Sequence, residues 1–191
     1  MSLTVREWWA VIHGMGLGAL FLLSFAGGLA GLYSLKAALI TPEGVVERMR
    51  RLRIGVVAMA AAAWGTVITG TWIVYPWYRE GLATSGADEF AGCAGAQLPT
   101  DQCSPRDFLR SNVSGSTEDW HAFGMEWKEH IAWISPILAT VVAFIVLYYG
   151  ANLIRHERVR KTAMTLFVMS FGFAAVAGAL GAFITKVAPV K

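Results

Sequence analysis

Four stretches of this chain, each free of Asp, Glu, Lys and Arg from end to end, decide what it can become: Trp8 to Leu35, Ile54 to Trp77, Ile131 to Leu153 and Thr162 to Ile184. A hydrocarbon core of ~30 Å is crossed by about 20 apolar residues at 1.5 Å rise each, and every one of the four is long enough. The mean hydropathy of +0.51 is well above that of a domain with a solvated surface. The expected fold is an all-α integral membrane protein, a four-transmembrane-helix up-and-down bundle. It forms one membrane domain over residues 1–191, with helices at about 8–35, 54–77, 131–153 and 162–184 and an outer loop over 78–130. The formal charge of +3 gathers at the ends of the spans, where it speaks to topology and argues against nucleic acid as a partner.

Basic residues in short loops mark the cytoplasmic side. Lys36, Arg48, Arg50, Arg51 and Arg53 lie between the first two spans, and Arg155, Arg158, Arg160 and Lys161 between the last two. The long connection instead carries Glu80, Asp88, Glu89, Asp101, Asp107, Glu118, Asp119 and Glu126. This places both termini and the long loop outside, as in a bacterial inner membrane protein. The first span is too long for a signal-peptide core, lacks a basic leader and is followed by the positive cluster, so it reads as a retained anchor. Cys93 and Cys103, in "CAGAQLPTDQC", fall in the outer loop with Gly and Pro between them. A disulfide in an oxidising compartment is the expectation, with two free thiols as the alternative.

The two halves read as a duplicated helical hairpin. "GLYSLKAALI" closes the first span and "VLYYGANLIR" the third, while "RLRIG" and "RVRKT" open the second and fourth. His13 lies 20 residues before Tyr33 and His130 lies 18 before Tyr148. At 1.5 Å per residue the two imidazoles stand about 30 and about 27 Å above the matching tyrosines, hence at one level. Trp8, Trp9, Trp127 and Trp133 mark that level as the outer interface. The first and third helices of such a bundle stand diagonally across its core, where side chains at one level hold cofactors.

A histidine inside a membrane span is costly and has a partner. The bland reading is a ring bonded to a carbonyl or serine near water. The sharper one is that His13 and His130 ligate a haem iron from both faces. Gly14, Gly16 and Gly18 beside His13, and Gly65, Gly70, Gly178 and Gly181 elsewhere, would admit a macrocycle, though glycine also serves close helix packing. Arg79, Lys128, Arg6 and Lys186 map to the outer rim as candidate partners for haem propionates, and Tyr75, Trp77 and Tyr78 could donate. Their ordinary roles are snorkelling and an interfacial belt. Pro76 marks the end of the second span or a kink in it.

His121 lies nine positions before His130, about 900° of helix, so the two rings would point to opposite faces of one helix. His121 is therefore expected at the surface of the outer loop, and His156 in the cytoplasmic turn. A rival metal site pairs Glu126 with His130, and His121 with Met125, for copper or non-haem iron. It lacks the buried carboxylates that a di-iron bundle needs, and Glu126 reads better as a partner that orients a histidine or pairs with Lys128.

Four apolar helices with a histidine pair on the parallel first and third resemble the small membrane cytochromes b. The likeness covers the architecture and no sequence motif, and the cysteine loop is not part of it. It implies one haem b on His13 and His130, one-electron transfer, and a role as a relay or anchor subunit of a larger oxidoreductase complex, without a substrate reaction of its own. Partners would be other subunits, lipid, and a periplasmic electron carrier or quinol at the outer face. No second histidine pair lies at the cytoplasmic level, which argues against a two-haem chain across the membrane. Competing readings are a cofactor-free structural or assembly subunit, a pigment-binding subunit, and a small transporter. The last is weakest, since the spans lack ionisable residues and broken helices at mid-membrane.

Overall fold

A computed structural model describes residues 5–36, 41–79, 106 and 119–187. All of the regular structure among them is helical, and four helices are long and apolar enough to cross a membrane: α1, Trp8–Ser34; α2, Gly44–Val74; α3, Trp120–Ile154; and α4, Glu157–Ile184. The expected membrane bundle is therefore present. The Cys93–Cys103 pair lies outside the described residues. So do the side chains of Arg6, Trp77 and Lys186.

The helices form a ring in chain order. α1 packs on α2 and α4, and α3 packs on α2 and α4, so α1 and α3 are diagonal as expected. Most of each span faces outward: Leu23, Phe144 and Tyr148 are exposed, as suits helices whose solvent is lipid. Helices gain little from burying apolar surface in such a solvent, and close approach matters more. Gly55 of α2 shows this, because a Cβ there would stand 3.1 Å from the Gly28 backbone nitrogen and 3.3 Å from its Cα. Gly55→Val is expected to force the helices apart and to cost about 1–3 kcal/mol, read as earlier SDS-induced unfolding by circular dichroism. Gly27→Ala, where a Cβ meets nothing within 4 Å, is the neutral control.

One end of the bundle is solid. Leu32, Leu35, Leu52, Val56, Met59, Val146, Leu153 and Phe167 fill it as fully buried side chains. The same end carries the arginines. Those placed between the first two spans are helical, for α2 opens with Thr41, whose hydroxyl accepts from the Gly44 amide at 3.2 Å, and Pro42 at its first position. Two arginines reach back to the last carbonyls of α1: Arg48 donates to the Ser34 oxygen at 3.1 Å, and Arg160, itself buried, donates to the Leu35 oxygen. Cations at a helix C-terminus satisfy orphan carbonyls and oppose the helix dipole. α3 ends on a 3₁₀ turn, Gly150–Ile154. Gly150 there has φ 51° and an Arg53 guanidinium nitrogen 3.1 Å from where a Cβ would be, so only glycine suits both the backbone and the space.

The other end is hollow and differently wound. Three of the helices contain one wide π-helical turn at this end: Ile12–Gly16, Gly70–Val74 and Trp120–Gly124. Each includes a glycine, and such turns concentrate at functional sites. α2 does not stop at Pro76. Helix resumes over Tyr75–Arg79, the wide turn just before it taking up the lost amide.

Candidate functional site

A cavity of about 870 Å³ opens between all four helices at the hollow end. Its walls are mostly small or apolar, including Gly14, Gly18, Ala63, Ala177 and Gly178, and its polar lining gathers His13, Tyr75, Tyr78, His121, Lys128 and Glu129. Gly14, Gly18 and Gly178 have no atom within 4 Å of the position a Cβ would take, so their bare backbone leaves the space open. Phe21 lines the cavity and stacks at 6.2 Å on Phe171, which stacks at 4.3 Å on Phe25, which meets Phe167 at 5.3 Å. These rings close the cavity off from the solid half. Beside them Ser170 Oγ donates to the Ser135 carbonyl at 2.8 Å, and the two hydroxyls meet at 3.2 Å, tying α3 to α4 through a fully satisfied buried pair.

His13 sits in the first wide turn, half-buried in the cavity wall. Its Nδ1 lies 2.9 Å from Thr69 Oγ1. That hydroxyl has a single proton, given to the Gly65 carbonyl at 2.7 Å, so it accepts from the ring and His13 carries its proton on Nδ1. Nε2 is then the nitrogen with the open lone pair. Gly70 makes room for the ring, since a Cβ there would stand 2.9 Å from His13 Cε1.

His130 is not its partner. The ring lies on the outward stripe of α3 beside the exposed Trp127, its side chain is 73% exposed, and Nδ1 donates to the carbonyl of Glu126 one turn back at 2.7 Å. It does not line the cavity. The expectation that His130 faces His13 is corrected by the start of α3 at Trp120. With helix running through both histidines, nine residues separate the faces by about half a turn, and His121 takes the inward one.

His121, expected at the loop surface, is 2% exposed and belongs to the cavity wall. Its ring stacks on Tyr78 at 5.7 Å between centroids, and its Nδ1 is 2.7 Å from the Tyr78 hydroxyl. The Ile184 main chain is close enough to act on the ring, yet Nε2 is buried without a hydrogen bond. A buried N–H with no acceptor is rarer and costlier than a buried lone pair with no donor. The favoured tautomer therefore donates from Nδ1 to Tyr78 and leaves Nε2 bare. Two diagonal helices thus each bring an imidazole to the cavity wall with its Nδ1 at a hydroxyl, and the His121 Nε2 is covered by the protein with no hydrogen bond.

Of the other expected site residues, Lys128 lines the cavity and Arg79 does not. The Arg79 guanidinium lies 5.8 Å from the centre of the Tyr75 ring, and the Glu129 carboxylate is near enough to act on the Tyr75 hydroxyl. His156 lies in the turn at the arginine end, its ring edge-on to Tyr149 at 5.5 Å. Met125, one turn after His121, also lines the cavity. Among the described residues no group of three or more His, Cys, Asp or Glu side chains converges, so the Glu126–His130 and His121–Met125 pairs do not assemble into a non-haem metal centre there.

The comparisons are silent: no family model, no curated protein and no solved structure matches this chain.

Proposed function

We propose that the chain is a membrane-bound haem b electron-transfer subunit in which His13 and His121 would hold the haem. The observation that carries this reading is the orphaned, buried Nε2 of His121 in the wall of the cavity that His13 also lines. Size and chemistry agree with it. A cavity of about 870 Å³ lies in the upper part of the ~300–1,000 Å³ range of cofactor sites, and its bare glycines leave open walls against which a flat ring can lie.

A haem held there would supply a one-electron iron couple. The residues of the chain bind and orient it. Thr69 and Tyr78 hold the two imidazoles through their Nδ1 protons, which fixes the rings and raises the basicity of Nε2. Held by both His13 and His121, the group would supply electron transfer and not oxygen or substrate chemistry, and the Phe21–Phe171–Phe25 stack would bound it on the far side. Electrons would pass at the cavity end alone. With the basic residues cytoplasmic, that end is the outer one, in reach of a periplasmic carrier or a quinol and of the larger redox complex the subunit serves. The resemblance to the small membrane cytochromes b rests on four apolar helices with histidines on the first and third; His121 stands about 13 Å of helical rise further out than His130, so it and His13 are staggered in depth.

The test is a reduced-minus-oxidised absorption spectrum of protein purified from haem-sufficient cells, with haem and protein quantified together. One haem b per chain with a low-spin spectrum is expected. Colourless protein would overturn the reading in favour of a structural or assembly subunit, and a chlorophyll-type band would favour a pigment-binding one.

A further inference from the structure

Lys128 differs from the basic residues at the arginine end. Its side chain lines the cavity and crosses to α4, with Cε and Nζ 3.2 and 3.3 Å from where a Cβ on Gly181 would stand. The bare backbone of Gly181 is what lets the ammonium settle there. Among the described residues no carboxylate comes within 4.0 Å of the Lys128 ammonium. The adjacent acid, Glu129, acts on it only through space. Elsewhere the cations have settled partners: Arg51 with Glu47 at 2.7 Å, Lys161 with Glu157 at 2.8 Å, and Lys36 over the Tyr33 ring at 3.8 Å. An ammonium turned into a largely apolar cavity with its nearest acid, Glu129, beyond ion-pair distance is poorly paired, and a long flexible lysine could otherwise snorkel to the interface. A ligand that brings a carboxylate removes that cost.

We propose that Lys128 pairs with a carboxylate of the group bound in the cavity. This rests on the haem reading, under which the carboxylate is a propionate, and it orients the propionate edge of the macrocycle toward Lys128 and Gly181. The rest of the lining fits that polarity. Tyr75 and Tyr78 line the same cavity and carry hydroxyls that suit a carboxylate, and Phe21, Ala63 and Pro136 supply apolar walls that suit the vinyl and methyl edge.

The experiment titrates detergent-solubilised protein, produced under haem depletion, with iron protoporphyrin IX and with its dimethyl ester, whose carboxylates are capped. Soret absorbance reads binding. The wild type should prefer the free acid by about tenfold, as expected for a charge-assisted pair out of water. Lys128→Met, close in volume and apolar, should bind both forms alike, and Lys128→Arg should keep the preference. Circular dichroism and SDS-induced unfolding check that each variant folds. If both forms bind the wild type equally, or Lys128→Met keeps the full preference, the Lys128 assignment falls while the haem site stands. If neither form binds the wild type, the haem site falls and takes the assignment with it.

Discussion

Replacing His121 by alanine should remove the low-spin haem spectrum, and replacing His130 should leave it intact. The two residues share a helix and differ by nine positions, yet one is 2% exposed in the cavity wall while the other has a side chain 73% exposed on the outer stripe. Loss of a ligating imidazole lowers metal-site affinity by at least the ~10–100-fold seen when only its supporting partner is lost. His121→Ala and His13→Ala are thus expected to purify with about a tenth of the wild-type haem or less, and His130→Ala with the wild-type content. Tyr78→Phe and Thr69→Val act more gently. Each removes the acceptor of an Nδ1 proton, makes the ligand less basic and should raise the midpoint potential while haem stays bound. Full haem in His121→Ala, or its loss in His130→Ala alone, would return the ligand to His130.

The second large effect is expected at the opposite end, from Arg160→Met. Arg160 is buried and donates to the carbonyl of Leu35, the residue on which α1 ends and itself fully buried. Methionine fills much of the space and makes no hydrogen bond, so a buried carbonyl loses a charged donor. Removing one partner of such a bond costs about 2–3 kcal/mol. Arg48→Met, at the half-buried contact with the Ser34 carbonyl, should cost about 1 kcal/mol. Arg160→Lys should restore little, because an ammonium cannot reproduce the reach and fork of the guanidinium. SDS-induced unfolding of the three variants measures the order. Equal stability of Arg160→Met and wild type would show that the carbonyl finds another donor.

The histidines show how far periodicity carries and where it stops. Nine residues of α-helix put His121 and His130 on opposite faces, and that much could be read from spacing alone. Which of the two faces inward depended on whether helix reaches back to Trp120, and acidic, aromatic "STEDWHAFGMEWKEH" has no apolar run to say so. A faint signal existed in the glycines: Gly14, Gly16, Gly70 and Gly124 each belong to a wide turn. Glycine in a membrane helix has several uses, so its presence alone could not pick this one. Lys128 and Arg79 were both expected at the outer rim; Lys128 lines the cavity and Arg79 lies by the Tyr75 ring, because a rim residue can face the cavity or cover a neighbouring ring.

The sequence by itself determined that there are four helices apolar and long enough to cross a membrane, because an uncharged run of that length has no other solvent than lipid, and its short first and last connections made the first pair and the last pair of helices neighbours. Only the tertiary structure decided that the bundle is solid at its arginine end and hollow at the other. It also decided that Thr69 and Tyr78 hold the imidazoles of His13 and His121, and that Gly181 shelters Lys128. Those arrangements join residues far apart in the chain, and their energies come from hydroxyls, carbonyls and bare backbone meeting across helices, which no local pattern of apolar residues encodes.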